Sequence, residues 1–138
     1  MTFDVLLVDD EADFLTPLRK RLVRRGLSVR EANDGESALE AMTAAPADVC
    51  VLDVKMPGMD GLTLLTHIKN EWPLTEVVML TGHASLEVAL RGMELGAFDY
   101  LMKPVEFEEL FYKLEDAAGR KRLHEEKLRR SEPGGRVG

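Results

Sequence analysis

Val5-Leu6-Leu7-Val8 is followed at once by Asp9-Asp10-Glu11, and this change from apolar to acidic residues indicates the fold. Four further apolar runs follow at intervals of about 20 to 25 residues, rich in β-branched side chains. Such runs are typical of strands that are covered on both faces of a parallel sheet. In chain order they are Leu27–Ala32, Val49–Leu52, Val77–Leu80 and Phe98–Met102.

The segments between these runs carry apolar residues at the spacing of amphipathic helices. Gly26 and Gly96 predict helix ends, and Asn33-Asp34-Gly35 predicts a turn into the second helix. Pro17 is expected near the first turn of the first helix, where a missing N–H costs least. The alternation predicts an α/β fold: a (βα)5 doubly wound five-stranded parallel sheet, with every strand's carboxyl end at one edge.

Composition narrows the class of protein. The chain has 138 residues, 45% of them hydrophobic, which suits one globular domain. Its net charge of -7 argues against direct nucleic acid binding. With one cysteine, Cys50, the chain cannot form an intrachain disulfide, and we expect this thiol to be buried as a small apolar side chain. Its apolar runs are short and the start of the sequence is not signal-like, so we expect a cytoplasmic protein with no membrane partner.

Polar residues follow four of the predicted strands: Asp9 and Asp10, then Asp53, Thr81 and Lys103. Ligands bind at this edge of a doubly wound sheet. Close carboxylates repel one another and favour a divalent cation, and Mg²⁺ prefers a few carboxylates together with a phosphate. An acidic pair alone is equally typical of a helix N-terminus, but its combination with Asp53 and Lys103 favours a site for Mg²⁺ and a phosphoryl group.

Four motifs contain these residues and follow one another along the chain. They are Val8-Asp9-Asp10-Glu11, Leu52-Asp53-Val54-Lys55-Met56-Pro57-Gly58-Met59-Asp60-Gly61, Leu80-Thr81-Gly82-His83 and Gly96-Ala97-Phe98-Asp99-Tyr100-Leu101-Met102-Lys103-Pro104. In this order they resemble the receiver domain of two-component response regulators, and their residues are most similar to receivers of nitrogen-regulation and nitrogen-fixation regulators. The resemblance covers about residues 3–118, and it implies the flavodoxin-like strand order 2-1-3-4-5.

The resemblance implies that Asp53 is the phosphoacceptor. Asp9 and Asp10 would hold Mg²⁺ or Mn²⁺, together with Asp53 and the backbone carbonyl of Lys55. An ionised aspartate needs no general base to attack phosphorus. The expected protein is therefore a switch that is phosphorylated by a sensor histidine kinase or phosphotransfer protein and slowly dephosphorylates itself, not a turnover enzyme.

Further residues would bind the phosphoryl group. The resemblance assigns Lys103 to its oxygens, preceding a cis peptide bond at Pro104. The hydroxyl of Thr81 and the backbone N–H groups of Lys55 and Gly82 would complete the cradle.

Switching is also implied by the resemblance. Thr81 would move toward the phosphoryl group and Tyr100 would turn inward, which changes the face of the fourth helix, fifth strand and fifth helix. That face is a candidate homodimer surface. Lys55 and His83 occupy positions that tune the dephosphorylation rate. Thr81 as a helix cap and Tyr100 as a core aromatic are the structural alternatives.

Other functions fit the residues less well. A Mg²⁺ phosphatase with an aspartyl phosphate would need a carboxylate where Lys55 stands. A flavodoxin-like cofactor binder would need a hydroxyl-rich loop where Asp9-Asp10-Glu11 stands. An excised N-terminal receiver of a transcriptional regulator and a partner-binding module without phosphorylation remain as alternatives.

The end of the sequence has a different character. Residues 1–118 are predicted to form the receiver, and residues 119–138 a charged helical extension with a disordered tail. The extension would be a linker, a dimer-forming helix or a soluble end.

Overall fold

The computed structural model describes residues 2–56, 59–82 and 86–131. Within these residues, strands and helices alternate along the whole chain. The strands are β1 (Asp4–Val8), β2 (Ser28–Ala32), β3 (Val49–Asp53), β4 (Glu76–Thr81) and β5 (Asp99–Met102). The helices are α1 (Ala12–Arg24), α2 (Gly35–Ala44), α3 (Gly61–Glu71), α4 (Leu86–Glu94) and α5 (Phe107–Ser131).

The five strands form one parallel sheet in the order β2-β1-β3-β4-β5, which confirms the predicted fold and strand order. The order reverses between β1 and β3, so these strands are neighbours although α1, β2 and α2 separate them in the chain. Val8 pairs with Leu52. The next residues, Asp9 and Asp53, therefore leave adjacent strands side by side at the carboxyl edge.

The side chains of each strand alternate between two apolar cores, one on each face of the sheet. On one face, Leu7, Val51 and Leu80 pack with α1 and α5 through residues such as Leu22 and Leu114. On the other face, β1, β3 and β4 pack against α2 and α3; the residues there include Leu6, Cys50, Met79, Met42 and Ile68. Strands covered on both faces give the continuous apolar runs seen in the sequence.

Two local features differ from the sequence-based expectation. β2 is an edge strand, and its residues Val29, Arg30 and Glu31 are only half-buried, so it is not covered on both faces. Pro17 is the sixth residue of α1 and lies beyond the first turn. It removes one helical hydrogen bond, on the exposed side of the helix.

The ends of four helices are fixed by glycines with positive φ or by capping aspartates. Gly26 and Gly96 both have positive φ, 94° and 106°, just after α1 and α4. Asp34 and Asp60 cap α2 and α3. The side chain of each accepts a hydrogen bond from the backbone N–H three residues later, which belongs to Ser37 and Thr63 respectively. The starts of these helices are thereby fixed close to the carboxyl edge of the sheet.

α5 is one continuous helix of 25 residues, extending past residue 118 to Ser131. The end of the sequence predicted to be disordered lies outside the described residues, apart from Ser131 itself. Among the described helices, none combines the length and apolar character that crossing a bilayer requires.

Candidate functional site

Three aspartates meet at the carboxyl edge of the sheet. Asp9 and Asp10 follow β1, and Asp53 ends β3. One carboxylate oxygen from each lies within 4.8 Å of the others. Asp9 and Asp53 are buried, with 1% and 7% of their surface exposed, whereas Asp10 is open to solvent. The cluster is thus a concentrated negative charge that can be reached from one side.

Lys103, one residue past β5, brings a positive charge to this cluster. Its Nζ lies 2.7 Å from Asp9 Oδ2, 3.4 Å from Glu11 Oε1 and 3.9 Å from Asp53 Oδ2. Its side chain is 15% exposed. Partial burial lowers the pKa of Lys103, but the hydrogen bond to Asp9 and the charges of Asp53 and Glu11 outweigh it and raise the pKa. The ammonium is therefore charged at neutral pH.

The environment of Asp53 disfavours its charge in the absence of a further cation. Burial raises the pKa of Asp53 to about 6, aided by the negative charges of Asp9 and Asp10. Lys103 and the backbone N–H of Lys55 act in the opposite direction. That N–H donates to Asp53 Oδ1 at 3.2 Å. A divalent cation beside the three carboxylates would favour the ionised form of Asp53.

Backbone packing fixes where Asp53 stands. Gly61 begins α3, and its N–H donates to the carbonyl of Val54 at 3.0 Å. A Cβ on Gly61 would lie 2.4 Å from the carbonyl oxygen of Asp53 and 2.6 Å from Cα of Val54. α3 can therefore begin directly against the end of β3 only because residue 61 has no side chain.

The remaining residues of the expected cradle lie on β4, β5 and the loops that follow. Thr81 is buried at the end of β4, one residue beyond Leu80, which pairs with Asp53. The backbone N–H of Lys103 donates to the carbonyl of Thr81 at 2.8 Å. Gly82 lies against the Lys103 side chain, and the Lys103–Pro104 peptide bond is cis.

Three further residues are expected to act as the switch aromatic or to tune the rate. Tyr100 is half-buried on β5, pairs with Met79 and packs against the core that faces α2 and α3. Lys55 is exposed at the rim. His83, expected to tune the rate, lies outside the described residues.

The donor set suits Mg²⁺. Three carboxylates within reach of one another supply the hard oxygen ligands that the ion prefers, and the solvent-exposed side leaves room for water and a phosphate oxygen. A cleft of about 300 Å³ opens there. Its lining is Asp10, Glu11, Asp53, Lys55, Gly82 and Lys103.

Sequence reasoning missed one neighbour of the site. The ring of Phe14, on the first turn of α1, lies with its centroid 4.3 Å from Nζ of Lys103. In the sequence, Phe14 is indistinguishable from any apolar residue at helical spacing. Only the fold, which brings α1 beside the end of β5, shows the contact.

The family model for the response regulator receiver domain matches residues 5–115. The chain belongs to this family: it is a receiver domain of the two-component signal transduction systems of bacteria, as the motifs indicated.

The matching relatives include NtrC and NtrX, in agreement with the resemblance of the motifs to receivers of nitrogen-regulation regulators. The transcriptional regulator NtrC of Klebsiella pneumoniae is 40% identical over 103 residues, 75% of this chain and 22% of the relative. The regulatory protein ZraR of Escherichia coli is 39% identical over 114 residues, 83% of this chain and 26% of the relative. NtrX of Brucella abortus, solved with ADP, superimposes with a TM-score of 0.90 at 34% identity, covering 100% of this chain and 31% of NtrX. The chain thus spans between 22% and 31% of the length of these proteins.

Proposed function

We propose that the chain accepts a phosphoryl group on Asp53 from the phosphohistidine of a sensor histidine kinase or phosphotransfer protein. The observation that carries this is the pairing of three converging carboxylates with one ammonium 3.9 Å from Asp53. A purely structural acidic cluster would gain nothing from burying Asp53 so close to Asp9. A site for a metal ion and a phosphoryl group requires that arrangement.

In the proposed step, a carboxylate oxygen of Asp53 forms a bond to phosphorus while the bond from phosphorus to the donor's imidazole nitrogen breaks. The imidazole nitrogen then takes up a proton from water, and an acyl phosphate remains on Asp53. Asp9, Asp10, Asp53 and the backbone carbonyl of Lys55 would hold Mg²⁺ or Mn²⁺. When bound, the ion supplies positive charge that offsets the repulsion between these carboxylates and the phosphoryl oxygens.

Lys103 would pair with a phosphoryl oxygen by moving from Asp9, which it contacts at 2.7 Å, toward Asp53. Thr81 and the backbone N–H groups of Lys55 and Gly82 would bind the other oxygens. Because the N–H of Lys55 already donates to Asp53 Oδ1, part of this cradle is oriented in advance. Lys55 and His83 would set how quickly the acyl phosphate hydrolyses.

Phosphorylation would act as a switch and not as one turn of an enzyme cycle. Thr81 would move toward the phosphoryl group, and Tyr100 would rotate from its half-buried position into the space it leaves. Both residues lie on the strands beside α4 and α5. The readout would be a changed α4-β5-α5 face, and we infer a cytoplasmic setting in which a kinase reaches the site.

A second, compatible proposal concerns the longer protein. Because NtrC, described as a DNA-binding transcriptional regulator, is matched over only 22% of its length, this chain would serve as the receiver of such a regulator. The net charge of -7 fits a domain that itself leaves DNA binding to another part.

Intact mass after incubation with acetyl phosphate tests the phosphoacceptor proposal. The wild type is expected to gain about 80 Da, one phosphoryl group, with Mg²⁺ and not with EDTA. Asp53→Asn should gain nothing. The matched control is Asp60→Asn: Asp60 is the exposed cap of α3, a role that asparagine performs equally well. This control should react like the wild type.

A wild type that takes up no phosphoryl group and binds no beryllofluoride, a phosphoryl analogue, would contradict the proposal. The acidic cluster would then belong to a partner-binding module that is not phosphorylated.

A further inference from the structure

Phe14, an apolar residue of α1, contacts the lysine of the site. It is the third residue of α1, half-buried, and packs against the core shared by α1 and α5. Its ring centroid lies 4.3 Å from Nζ of Lys103, inside the distance of about 6 Å at which a cation is attracted to an aromatic face. Because the Lys103 side chain is only 15% exposed, water screens this attraction weakly.

The ring attracts the ammonium without competing for the same partners as a phosphoryl group. The carboxylates of Asp9 and Glu11 hold Lys103 through hydrogen bonds, and these must weaken when Nζ turns to a phosphoryl oxygen. An aromatic face has no strong acceptor, so all three N–H donors of the ammonium stay available for oxygens. A lysine side chain has four flexible methylene groups, and a neighbouring ring limits where its end can go.

We propose that Phe14 is a positioning residue for Lys103: its ring keeps the ammonium beside Asp53 during the exchange of Asp9 for a phosphoryl oxygen. The inference rests on the proposed function, because it gives Lys103 a phosphoryl group to bind. It adds a residue outside the four motifs to the machinery of the site.

The test compares three variants by two nuclear magnetic resonance measurements. Phe14→Leu removes the ring, Phe14→Tyr keeps it, and Phe107→Leu is the matched control. Phe107 and Phe14 line a groove between α1 and the start of α5, separate from the acidic cleft, and the Phe107 ring lies against the guanidinium groups of Arg21 and Arg25. The first measurement is the ring-current shift of the Lys103 ε-methylene protons. Their signals are assigned as those that are missing from the spectrum of Lys103→Arg. The second is the apparent affinity for beryllofluoride with Mg²⁺, followed by ¹⁹F signals.

Phe14→Leu is expected to lose the ring-current shift and about fivefold in beryllofluoride affinity. Phe14→Tyr and Phe107→Leu should keep both. Unchanged affinity in Phe14→Leu, or an equal loss in Phe14→Leu and Phe107→Leu, would overturn the inference, since the ring would then contribute packing and no positioning.

The two measurements separate this inference from the proposed function. A wild type that binds no beryllofluoride would contradict the proposed function. A wild type that binds it, but whose Lys103 protons show no ring-current shift sensitive to Phe14→Leu, would contradict the Phe14 inference alone.

Discussion

Gly61 holds the start of α3 against the end of β3, directly behind Asp53. Its amide donates to Val54, and an added Cβ would meet backbone atoms of Asp53 and Val54 at 2.4 and 2.6 Å. Backbone atoms, unlike the end of a flexible side chain, move only together with their strand. The position of the candidate phosphoacceptor thus depends on a residue that has no chemistry of its own.

Gly61→Ala is expected to lower the free energy of unfolding by about 2 kcal/mol through overpacking, and to slow phosphorylation by acetyl phosphate because Asp53 shifts. Urea unfolding and intact mass measure the two effects. Gly119→Ala, in the interior of α5, is the matched control: nothing lies within 4 Å of the added Cβ. It should raise stability by roughly 0.5 to 1 kcal/mol. Equal stability of the two variants would contradict the close-approach argument.

Cys50 lies on β3, three residues before Asp53, but it serves the core and not the site. It is fully buried, and its Sγ lies 3.7 Å from Sδ of Met42. Burial raises the pKa of the Cys50 thiol to about 12. The reactive thiolate is therefore nearly absent from the folded protein at neutral pH.

We expect the Cys50 thiol to resist a disulfide reagent in the native protein and to react at once in denaturant. Because the folded pKa lies above the usual value of 9.0, the thiol stabilises the fold below pH 9, and this contribution is lost between about pH 9 and 12. Between pH 9 and 12, the free energy of unfolding of Cys50→Ala should therefore fall less than that of the wild type. Urea unfolding of both proteins across this pH range measures the difference. Rapid labelling of the native wild type would contradict the burial of the thiol.

At the scale of elements, the middle of α5 is attached to the edge of the sheet opposite the site. Arg120 Nε lies 3.4 Å from Oε2 of Glu76, a carboxylate 3% exposed at the start of β4 that also faces Lys69 at 3.8 Å. Lys121 Nζ lies 3.0 Å from Oδ1 of Asp48. We therefore propose that the folded unit continues past residue 118, where the apolar pattern of the sequence ends.

A chain that ends at residue 118 is expected to be less stable than the full chain, because Glu76 would stay buried without Arg120. Arg120→Ala alone should cost about 1 kcal/mol in urea unfolding, a value reduced by the solvent that reaches the half-exposed arginine.

The control for Arg120 is Arg130→Ala, which removes an exposed ion pair with Glu126 on the same helix and should change stability by less than about 0.5 kcal/mol. If both arginine variants unfold alike and truncation costs nothing, the extension is a linker and not part of the folded unit.

At the scale of the whole molecule, large apolar side chains are exposed on α4, β5 and α5, the elements of the candidate switching face. They are Leu86, Leu90, Met93, Met102 and Tyr112, each at least 40% exposed. Such a face is typical of a protein surface that is covered part of the time. Tyr100, the candidate switch residue, lies on β5, one of these three elements.

We expect Mg²⁺ and beryllofluoride to convert the chain from monomer to dimer through this face, seen by light scattering as a doubling of mass. Leu90→Arg should stay monomeric, since a buried charge opposes association. Leu123→Arg, at an exposed leucine of the α5 extension, should still dimerise. Dimerisation of Leu90→Arg, or no dimer in the wild type, would contradict a homodimer at this face.

The sequence pattern predicted the strands, their parallel arrangement and the meeting of Asp9, Asp10, Asp53 and Lys103, whereas the strand order 2-1-3-4-5 came from the resemblance to receiver domains. Buried parallel strands are nearly all apolar, so a charged residue at a strand end stands out, and parallel topology places all such ends at one edge. The four motifs together also pointed to the family, which the match to the family model confirms.

Only the tertiary structure decided which side chains touch across elements. The contact of Phe14 with Lys103, the approach of Gly61 to Asp53 and the attachment of Arg120 to Glu76 each join residues of different elements, and no sequence pattern shows that they touch. Sequence periodicity predicts which face of an element is buried, because most apolar side chains avoid water. Which residue meets which depends on packing distances between elements, and these are set when helices and sheet pack together.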